Sequence, residues 1–192
     1  MAKRIITISR EFGSGGRFIG EEVAKKLGIA YYDKEMIGQI AEQAGLSSEY
    51  VRENAELSPK KGWFAYAFSG RDITGKSVED MVYEAQRKVI MEIAEKENCV
   101  IIGRNADFIL KDRKDVLNVF IPEKVRRICS LYNVTEVDAI KMINDIDKRR
   151  RTNYNFYTEQ KWGMAENYTM SLNSSVLGYD LCQKIIIDCA KL

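Results

Sequence analysis

The sequence has 192 residues, 45% of them hydrophobic and 30% charged, which suits one folded domain with a sizeable core. Its formal net charge of +2 is too small to argue for nucleic acid as a partner, and no apolar run approaches the ~18 residues of a membrane span. The sequence contains no histidine, which excludes a mechanism that needs a histidine base and argues against a zinc site. Catalysis would therefore have to use carboxylates, arginine, lysine and backbone dipoles.

The first predicted elements are a strand, a glycine-rich turn and a helix. Residues 5–8 are β-branched, Gly13, Gly15 and Gly16 follow them, and apolar residues then return at helical spacing. Glycines let backbone N–H groups curve around an anion, and a helix N-terminus adds partial positive charge. We therefore predict that the glycine loop, residues 13–17, binds phosphate. The alternative is an ordinary glycine-rich connection between a strand and a helix.

The glycine loop departs from the usual phosphate-binding pattern G-x-x-x-x-G-K-[ST]. If Gly15 is the second glycine, Gly16 occupies the lysine position and Arg17 the hydroxyl position. If Gly16 is the second glycine, these positions fall on Arg17 and Phe18, and neither register has the first glycine. Arg17 is then the cation placed to replace the missing lysine, because Arg10 ends the strand and is expected to turn towards a neighbouring carboxylate.

The rest of the chain alternates between helical patterns and short apolar strands, which predicts a parallel sheet covered on both faces. Four cysteines stand singly and the N-terminus does not resemble a signal peptide, so we expect buried thiols in a reducing cytoplasm. In chain order we predict a strand at 29–32, helices at 34–44 and after Ser47, an irregular segment at 57–76, a helix from Ser77 to about Glu97, strands at 99–102 and 117–121, a helix from Thr135 into the basic run 148–151, a strand near 168–172 and a helix from about Ser175.

Polar residues follow several strands, at the edge where a parallel sheet binds ligands. Arg104 and Asn105 come directly after Gly103, which predicts that Arg104 points into a cleft; the alternative is a surface ion pair. Asp33 could hold a sugar hydroxyl, a base amino group or magnesium through water. Its alternative role is the N-cap of the helix that begins at Lys34.

A basic run at residues 148–151 follows the helix predicted from Thr135, and at most two of Arg149, Arg150 and Arg151 can share a face. The first alternative is a solvated basic helix end, which the helix dipole favours. A nucleic-acid surface is a further interpretation, but no stacking aromatic residues are interleaved with these charges.

Two segments are the most distinctive in the chain. They are Ser9-Arg10-Glu11-Phe12-Gly13-Ser14-Gly15-Gly16-Arg17 and the D-x-x-R-R pattern of Asp147, Arg150 and Arg151. Together with the strand-end residues, these segments resemble the cytidylate kinases over nearly the whole chain. The resemblance implies a single P-loop kinase domain with a three-layer α/β fold and a parallel sheet. It also implies a monophosphate-binding insertion at about residues 34–76, where Trp63, Tyr66 and Phe68 could stack on a base, and a lid at about residues 135–165.

The same resemblance implies transfer of the γ-phosphoryl group of ATP, with Mg²⁺, to a nucleoside monophosphate such as CMP or dCMP. Arg17 would replace the lysine, Arg149 and Arg150 would close over the γ-phosphate, and the acceptor would bind at Asp33, Arg104 and Asn105. The residues implied for ATP are Gly13, Ser14, Gly15, Gly16, Arg17, Phe18 and Arg126, the last about one turn after Pro122.

Two other functions stay open at this point. The first is a kinase of a different small molecule, and the second is a nucleotide-binding regulatory protein that has lost catalysis together with the lysine. In each case the expected partner is a small molecule rather than nucleic acid or a membrane, and the oligomeric state is open.

Overall fold

A parallel sheet forms the centre of the computed structural model, which describes residues 4–33, 36–54, 77–122 and 126–192. The described strands lie in the order β2-β3-β1-β4-β5, and every neighbouring pair is parallel. They are β1 (Ile5–Arg10), β2 (Ala30–Tyr32), β3 (Cys99–Ile102), β4 (Val116–Ile121) and β5 (Met170–Ser171).

The strands form at runs rich in apolar, β-branched residues, such as Ile5, Ile6 and Ile8 of β1, and all six residues of β1 are buried. Successive side chains point to opposite faces of the sheet, so Ile6 and Ile8 pack on one face while Ile5 packs on the other. The predicted parallel sheet, buried on both sides, is therefore confirmed.

Most helices begin close to where the sequence predicts them, but the helix predicted from about Ser175 is two helices separated at Gly178, and the short helix that follows β3 was not predicted. In chain order they are α1 (Gly16–Leu27), α2 (Met36–Ala44), α3 (Ser48–Asn54), α4 (Val78–Lys96), α5 (Ala106–Ile109), α6 (Arg126–Tyr132), α7 (Glu136–Thr158), a short 3₁₀ helix (Ala165–Asn167), α8 (Ser174–Leu177) and α9 (Tyr179–Ala190). Two starts are fixed by caps, since the Ser77 hydroxyl accepts from Asp80 N and the Thr135 hydroxyl accepts from Asp138 N. None of the described helices combines the length and the apolar character needed to cross a membrane.

The helices cover both faces of the sheet. α1 and α9 pack through Ile19, Val23 and Ile186 on the face that carries Ile6 and Ile8. α2, α3 and α4 pack on the opposite face, against Ile5 and its neighbours. The three-layer α/β fold predicted from the sequence is thus confirmed.

The prediction for the basic run was wrong about its place in the helix. α7 is 23 residues long and continues through residues 149–151 to Thr158, so these arginines lie inside a helix rather than at its end. Residues 148–158 contain neither glycine nor proline, and the helix ends only at Glu159, which has a left-handed backbone with φ 57°. Of the expected insertion, residues 55–76 with Trp63, Tyr66 and Phe68 lie outside the described residues.

Candidate functional site

A polar pocket lies at the carboxyl ends of β1 and β3. Its lining residues are Ser9, Arg10, Gly103, Arg104, Asn105, Arg150, Tyr154 and Trp162, and we call this the arginine pocket. Arg104 and Asn105 line it, as their position after a strand predicts. α7 contributes Arg150 and Tyr154, so the pocket joins the edge of the sheet to the basic helix.

The glycine loop lies next to this pocket, between β1 and α1. Gly15 is the N-cap of α1 with φ 76°, and the Gly16 N–H donates to the Ser14 hydroxyl over 3.2 Å. The carbonyl of Ser14 in turn accepts from the hydroxyl of Ser174, 2.7 Å away, which anchors the loop to α8. The N-terminus of α1 therefore lies at the carboxyl end of β1, where a helix dipole favours an anion, and the Gly16 N–H is already used by Ser14 in the unliganded protein.

Close packing around the glycine loop leaves no room for side chains at two positions. A Cβ atom on Gly15 would lie 2.7 Å from the ring of Tyr179, and one on Gly16 would lie 2.7 Å from Cβ of Arg10. Only glycine fits both places, and the positive φ of Gly15 adds a second reason there. Packing against Tyr179 and Arg10 therefore requires glycine at both positions, which holds the loop close to the end of β1 and to α9.

Three arginine side chains converge in the arginine pocket although little of them reaches solvent. Arg10 and Arg104 are each 5% exposed, and the side chain of Arg150 is 12% exposed. Burial lowers the pKa of all three guanidinium groups, to about 10 for Arg104, and Arg150 and Arg104 lower the pKa of Arg10 further by repulsion. Such a concentration of buried positive charge favours an anionic ligand.

Arg104 is held in an unusual conformation that directs it into the pocket. Gly103, Arg104 and Asn105 have φ values of 63°, 59° and 56°, so the chain makes a left-handed turn directly after β3. The Arg104 carbonyl accepts from the buried side chain of Gln86 over 2.8 Å. Its Nε and NH1 atoms are buried and have no hydrogen-bond partner among the described residues. These two donors are available to an oxyanion.

Arg150 connects α7 to the start of the glycine loop. Its NH1 atom lies 3.1 Å from Oδ1 of Asp147 and donates over 3.3 Å to the carbonyl of Arg10. Asp147 also accepts from the N–H of Phe12 over 2.8 Å. Unlike Arg150, neither neighbouring arginine lines the pocket. Arg149 is half-buried, and Arg151 is exposed.

Arg17 and Asp33, predicted separately, form an ion pair with each other. Arg17 Nε donates to Asp33 Oδ2 over 2.6 Å, NH2 of the same side chain contacts the same oxygen, and 48% of the Arg17 side chain is exposed. Phe18 is exposed and packs against Tyr179 with 5.6 Å between ring centroids. Arg126 begins α6, but its side chain lies outside what the structure describes, as do residues 34 and 35, where the N-cap alternative for Asp33 would be decided.

A buried carboxylate that could not be predicted from the sequence, Asp107 of α5, lies behind the pocket. Its Oδ2 accepts from the Tyr154 hydroxyl over 2.7 Å and its Oδ1 accepts from the Ser9 hydroxyl over 3.2 Å. Burial raises the pKa of this carboxyl to about 6, although both hydrogen bonds act in the opposite direction. The partners lie on three elements that are distant in the sequence, so no local pattern identifies them.

Replacing Asp107 with asparagine is expected to change the pH dependence of stability. The folded-state pKa of about 6 lies above the ordinary value of 3.8, so this group stabilises the folded protein at low pH and the contribution is lost as the pH rises through 6. Relative to the variant, the free energy of unfolding of the wild type should fall by about 2 kcal/mol between about pH 4 and about pH 7. Urea unfolding at several pH values measures this difference, in which the contribution of Asp147 cancels. If the free energies of unfolding of the wild type and of Asp107→Asn changed with pH by the same amount, the prediction would be wrong.

The comparisons with known proteins agree with this geometry. The model of the cytidylate kinase-like family matches residues 5–176. An uncharacterized protein from Eubacterium ventriosum is 29% identical, with a TM-score of 0.69 and 96% of each chain covered. Shikimate kinase from Bacteroides thetaiotaomicron is 17% identical, with a TM-score of 0.52 and 96% of each chain covered. Shikimate kinase from Acinetobacter baumannii, solved in complex with shikimate, is 16% identical, with a TM-score of 0.50, 95% of this chain and 90% of that chain covered. No curated protein matches the sequence significantly.

Proposed function

The chain belongs to the cytidylate kinase-like family and has the fold of P-loop kinases that act on small molecules, and from this premise we propose that it transfers the γ-phosphoryl group of ATP to a nucleoside monophosphate, CMP or dCMP. Family membership supports the chemistry, and the arginine pocket supports an acceptor that carries an anionic group. Phosphoryl transfer suits a site built from arginines and backbone N–H groups, since catalysis consists mainly of positioning and charge stabilisation.

One observation carries the proposal, the pair of buried donors on Arg104. Leaving guanidinium nitrogens buried without partners costs free energy, and a bound oxyanion would remove that cost with two charge-assisted hydrogen bonds. Asn105 lies beside Arg104 in the pocket lining, and Asp33 lies near enough to raise the pKa of Arg104. We assign acceptor binding to these three residues.

On the nucleotide side, the glycine loop fits the phosphates of ATP. It has glycine at positions 13, 15 and 16 and leads into the N-terminus of α1, a helix of 12 residues whose dipole favours an anion. Ser14 and Phe18 border the same turn, and Gly13 precedes it. ATP would bring Mg²⁺ with it, and Asp33 is the carboxylate placed to contact the metal through water, since Mg²⁺ needs only one or two protein carboxylates and keeps several waters.

In this proposal α7 acts as the lid, within the expected range of residues 135–165. Arg150 would stabilise the transferring phosphoryl group from the pocket, and Arg149, half-buried one position earlier, would approach on closure. Arg17 would leave Asp33 and bind phosphate in place of the absent lysine. A cation at a helix N-terminus is unfavourable unless an anion offsets it; Asp33 does so in the structure, and a phosphate would take its place.

Replacing Arg17 with alanine is expected to weaken ATP binding by about 1.5–3 kcal/mol, the scale of a charge-assisted hydrogen bond, while the protein stays folded. Calorimetric titration with ATP measures the change. Lys25→Ala is the matched control, because Lys25 is exposed on the same helix and its ammonium group lies 3.9 Å from Glu22. Unchanged affinity in Arg17→Ala would mean that the backbone alone holds the phosphates.

The proposed reaction is tested by measuring ADP release with a panel of acceptors. CMP and dCMP should be the best acceptors, and the other nucleoside monophosphates should be poorer. Turnover with a non-nucleotide acid such as shikimate, but not with any nucleotide, would favour a kinase of another small molecule. Binding of ATP without transfer to any acceptor would favour the regulatory protein that has lost catalysis.

We also propose a cytoplasmic location and a small-molecule nucleotide as the partner, without nucleic acid or a membrane. The support is the cysteine chemistry, since Cys99, Cys129, Cys182 and Cys189 are all free thiols and free cysteines are typical of a reducing compartment.

A further inference from the structure

The far side of the arginine pocket is formed by two hydroxyl groups, those of Ser9 and Tyr154, which we call the pocket floor. Both residues line the pocket, whereas Asp107 lies behind them and is 3% exposed. Asp107 contacts the floor through both carboxylate oxygens, 3.2 Å from the Ser9 hydroxyl and 2.7 Å from the Tyr154 hydroxyl. The floor therefore separates a buried acid from whatever occupies the pocket.

The geometry fixes the direction of these hydrogen bonds. An ionised carboxylate can only accept, and each hydroxyl has a single proton, so both protons point away from the pocket towards Asp107. The oxygen of Tyr154 also lies 3.1 Å from Gln160 Oε1, and because the hydroxyl proton is already used, the Gln160 amide has to present its NH₂ group there. The buried Tyr168 hydroxyl also interacts with both floor oxygens, and its proton can use one of their lone pairs. What the floor offers to a ligand is the remaining acceptor lone pairs, chiefly those of Ser9.

Opposite the floor, Arg104 offers only donors. Its Nε and NH1 atoms are buried without a partner among the described residues, and a guanidinium has no acceptor. A ligand that satisfies both sides must carry oxyanion oxygens for Arg104 and a hydroxyl proton for the floor. An anion that carries no proton can only accept hydrogen bonds. Its oxygen lone pairs would face those of the floor oxygens with no proton between them.

We propose that Asp107 is a specificity-determining residue that makes the pocket floor a hydrogen-bond acceptor, so that the arginine pocket selects ligands combining an oxyanion with a hydroxyl donor. Asp107 acts through Ser9 and Tyr154 and is a positioning residue, not a catalytic one. This inference deepens the proposed acceptor site and rests on it for its biological meaning. The selection itself is a binding property that does not require phosphoryl transfer.

Inorganic phosphate and sulfate are suitable probes, because they are similar in shape and size. At pH 7.5 hydrogen phosphate carries one hydroxyl and two negative charges, while sulfate carries two charges and no proton. The carboxyl of Asp107, whose pKa is raised to about 6, is ionised at this pH. A site that pairs with a ligand hydroxyl discriminates against the analogue that lacks it, since its polar groups are then left unpaired.

Calorimetric titration of the full chain with each anion tests the proposal. The wild type should bind phosphate at least about tenfold more tightly than sulfate. In Asp107→Asn the amide NH₂ donates to one floor hydroxyl and turns its proton into the pocket, so the preference should fall to about threefold or less, through stronger sulfate binding as well as weaker phosphate binding. Asp115→Asn, a change of the same chemistry at an ion pair with Arg113 outside the pocket lining, should keep the wild-type preference.

Ser9→Ala keeps the test decisive if Asp107→Asn does not fold. It removes the principal floor acceptor, so phosphate affinity should fall about tenfold while sulfate affinity changes little. Equal binding of both anions by the wild type, or binding of neither, overturns the proposal. So does an equal loss for both anions in Ser9→Ala and Asp107→Asn, because that result describes a structural role only. Absence of phosphoryl transfer with every acceptor would overturn the kinase function and leave the anion preference intact, so the two failures are distinguishable.

Discussion

Replacing Arg150 with alanine is expected to lower kcat about a thousandfold. Loss of an arginine that stabilises the transferring phosphoryl group typically reduces the rate by about this factor. The affinity for ATP should fall much less, because Arg150 lies in the arginine pocket and we propose that the glycine loop, not Arg150, holds the nucleotide. The side chain is buried and positioned from two directions, by Asp147 and by the carbonyl of Arg10. Steady-state kinetics and calorimetric titration with ATP, on the same preparation, separate the two effects.

Arg151→Ala is the matched control for this change, since Arg151 is exposed one position further along the same helix. It should alter neither kcat nor ATP affinity. Arg149→Ala should fall between the two variants if Arg149 approaches only when the lid closes. An equal and small loss in both kcat and ATP affinity in Arg150→Ala would return the basic run to a solvated helix face. Because the change leaves Asp147 buried without its cation, thermal unfolding has to show that the variant is folded at the assay temperature.

Replacing Arg104 with alanine is expected to raise the acceptor KM and to lower kcat/KM for the acceptor by about a hundredfold or more. Two charge-assisted hydrogen bonds are lost, each worth about 1.5–3 kcal/mol, and each 1.4 kcal/mol is a factor of ten. The affinity for ATP should be unchanged. Unaltered acceptor kinetics would show that Arg104 does not touch the acceptor.

Replacing Arg104 should also affect stability differently from most substitutions of buried residues, which lower the free energy of unfolding. A buried guanidinium with unpartnered Nε and NH1 atoms costs free energy in the unliganded protein. We expect Arg104→Met, which fills similar volume, to leave the free energy of unfolding unchanged or to raise it by about 1 kcal/mol, while acceptor binding is lost. Arg113→Met is the control with the reverse pattern, since Arg113 pairs with Asp115 over 2.9 Å and should matter for stability but not for kinetics. A large loss of stability in Arg104→Met would mean that Arg104 is chiefly structural.

Local patterns explain which elements could be predicted from the sequence. The starts of α4 and α7 depend on a hydroxyl and an N–H three residues later, so Ser77 and Thr135 identify them directly. The end of α7 could not be predicted, because residues 148–158 have no glycine or proline and their polar and aromatic side chains follow no clear amphipathic pattern. Its length is set by contacts made elsewhere, such as that of Tyr154 with Asp107.

Some residues of the candidate site could likewise be predicted from local sequence, and others could not. Arg104 and Asn105 could be placed at the pocket because a residue that follows a parallel strand lies at the ligand edge of the sheet. Arg10, which was expected to turn towards a neighbouring carboxylate, lines the pocket and lies near enough to Asp33 for that carboxylate to raise its pKa, although burial lowers it more. The ion pair of Arg17 with Asp33 depends on how β2 lies relative to α1, which no spacing in the sequence encodes. Whether these residues perform the proposed roles is what the substitutions test.

The strand order has a consequence for how the chain folds during synthesis. β1 occupies the centre of the sheet, and its first residue, Ile5, pairs with Cys99 on one side and Val116 on the other. At about 5–20 residues per second, a ribosome needs roughly 5–20 s after making β1 to produce β3, the first of its two neighbours. For that interval the β-branched residues 5–8, followed by Ser9 and Arg10, have open hydrogen-bonding edges on both sides, the condition that favours aggregation. β1 is made first and has no neighbour until β3 has been made, so it stays unpaired longer than any other described strand, and its second neighbour is complete only at Ile121.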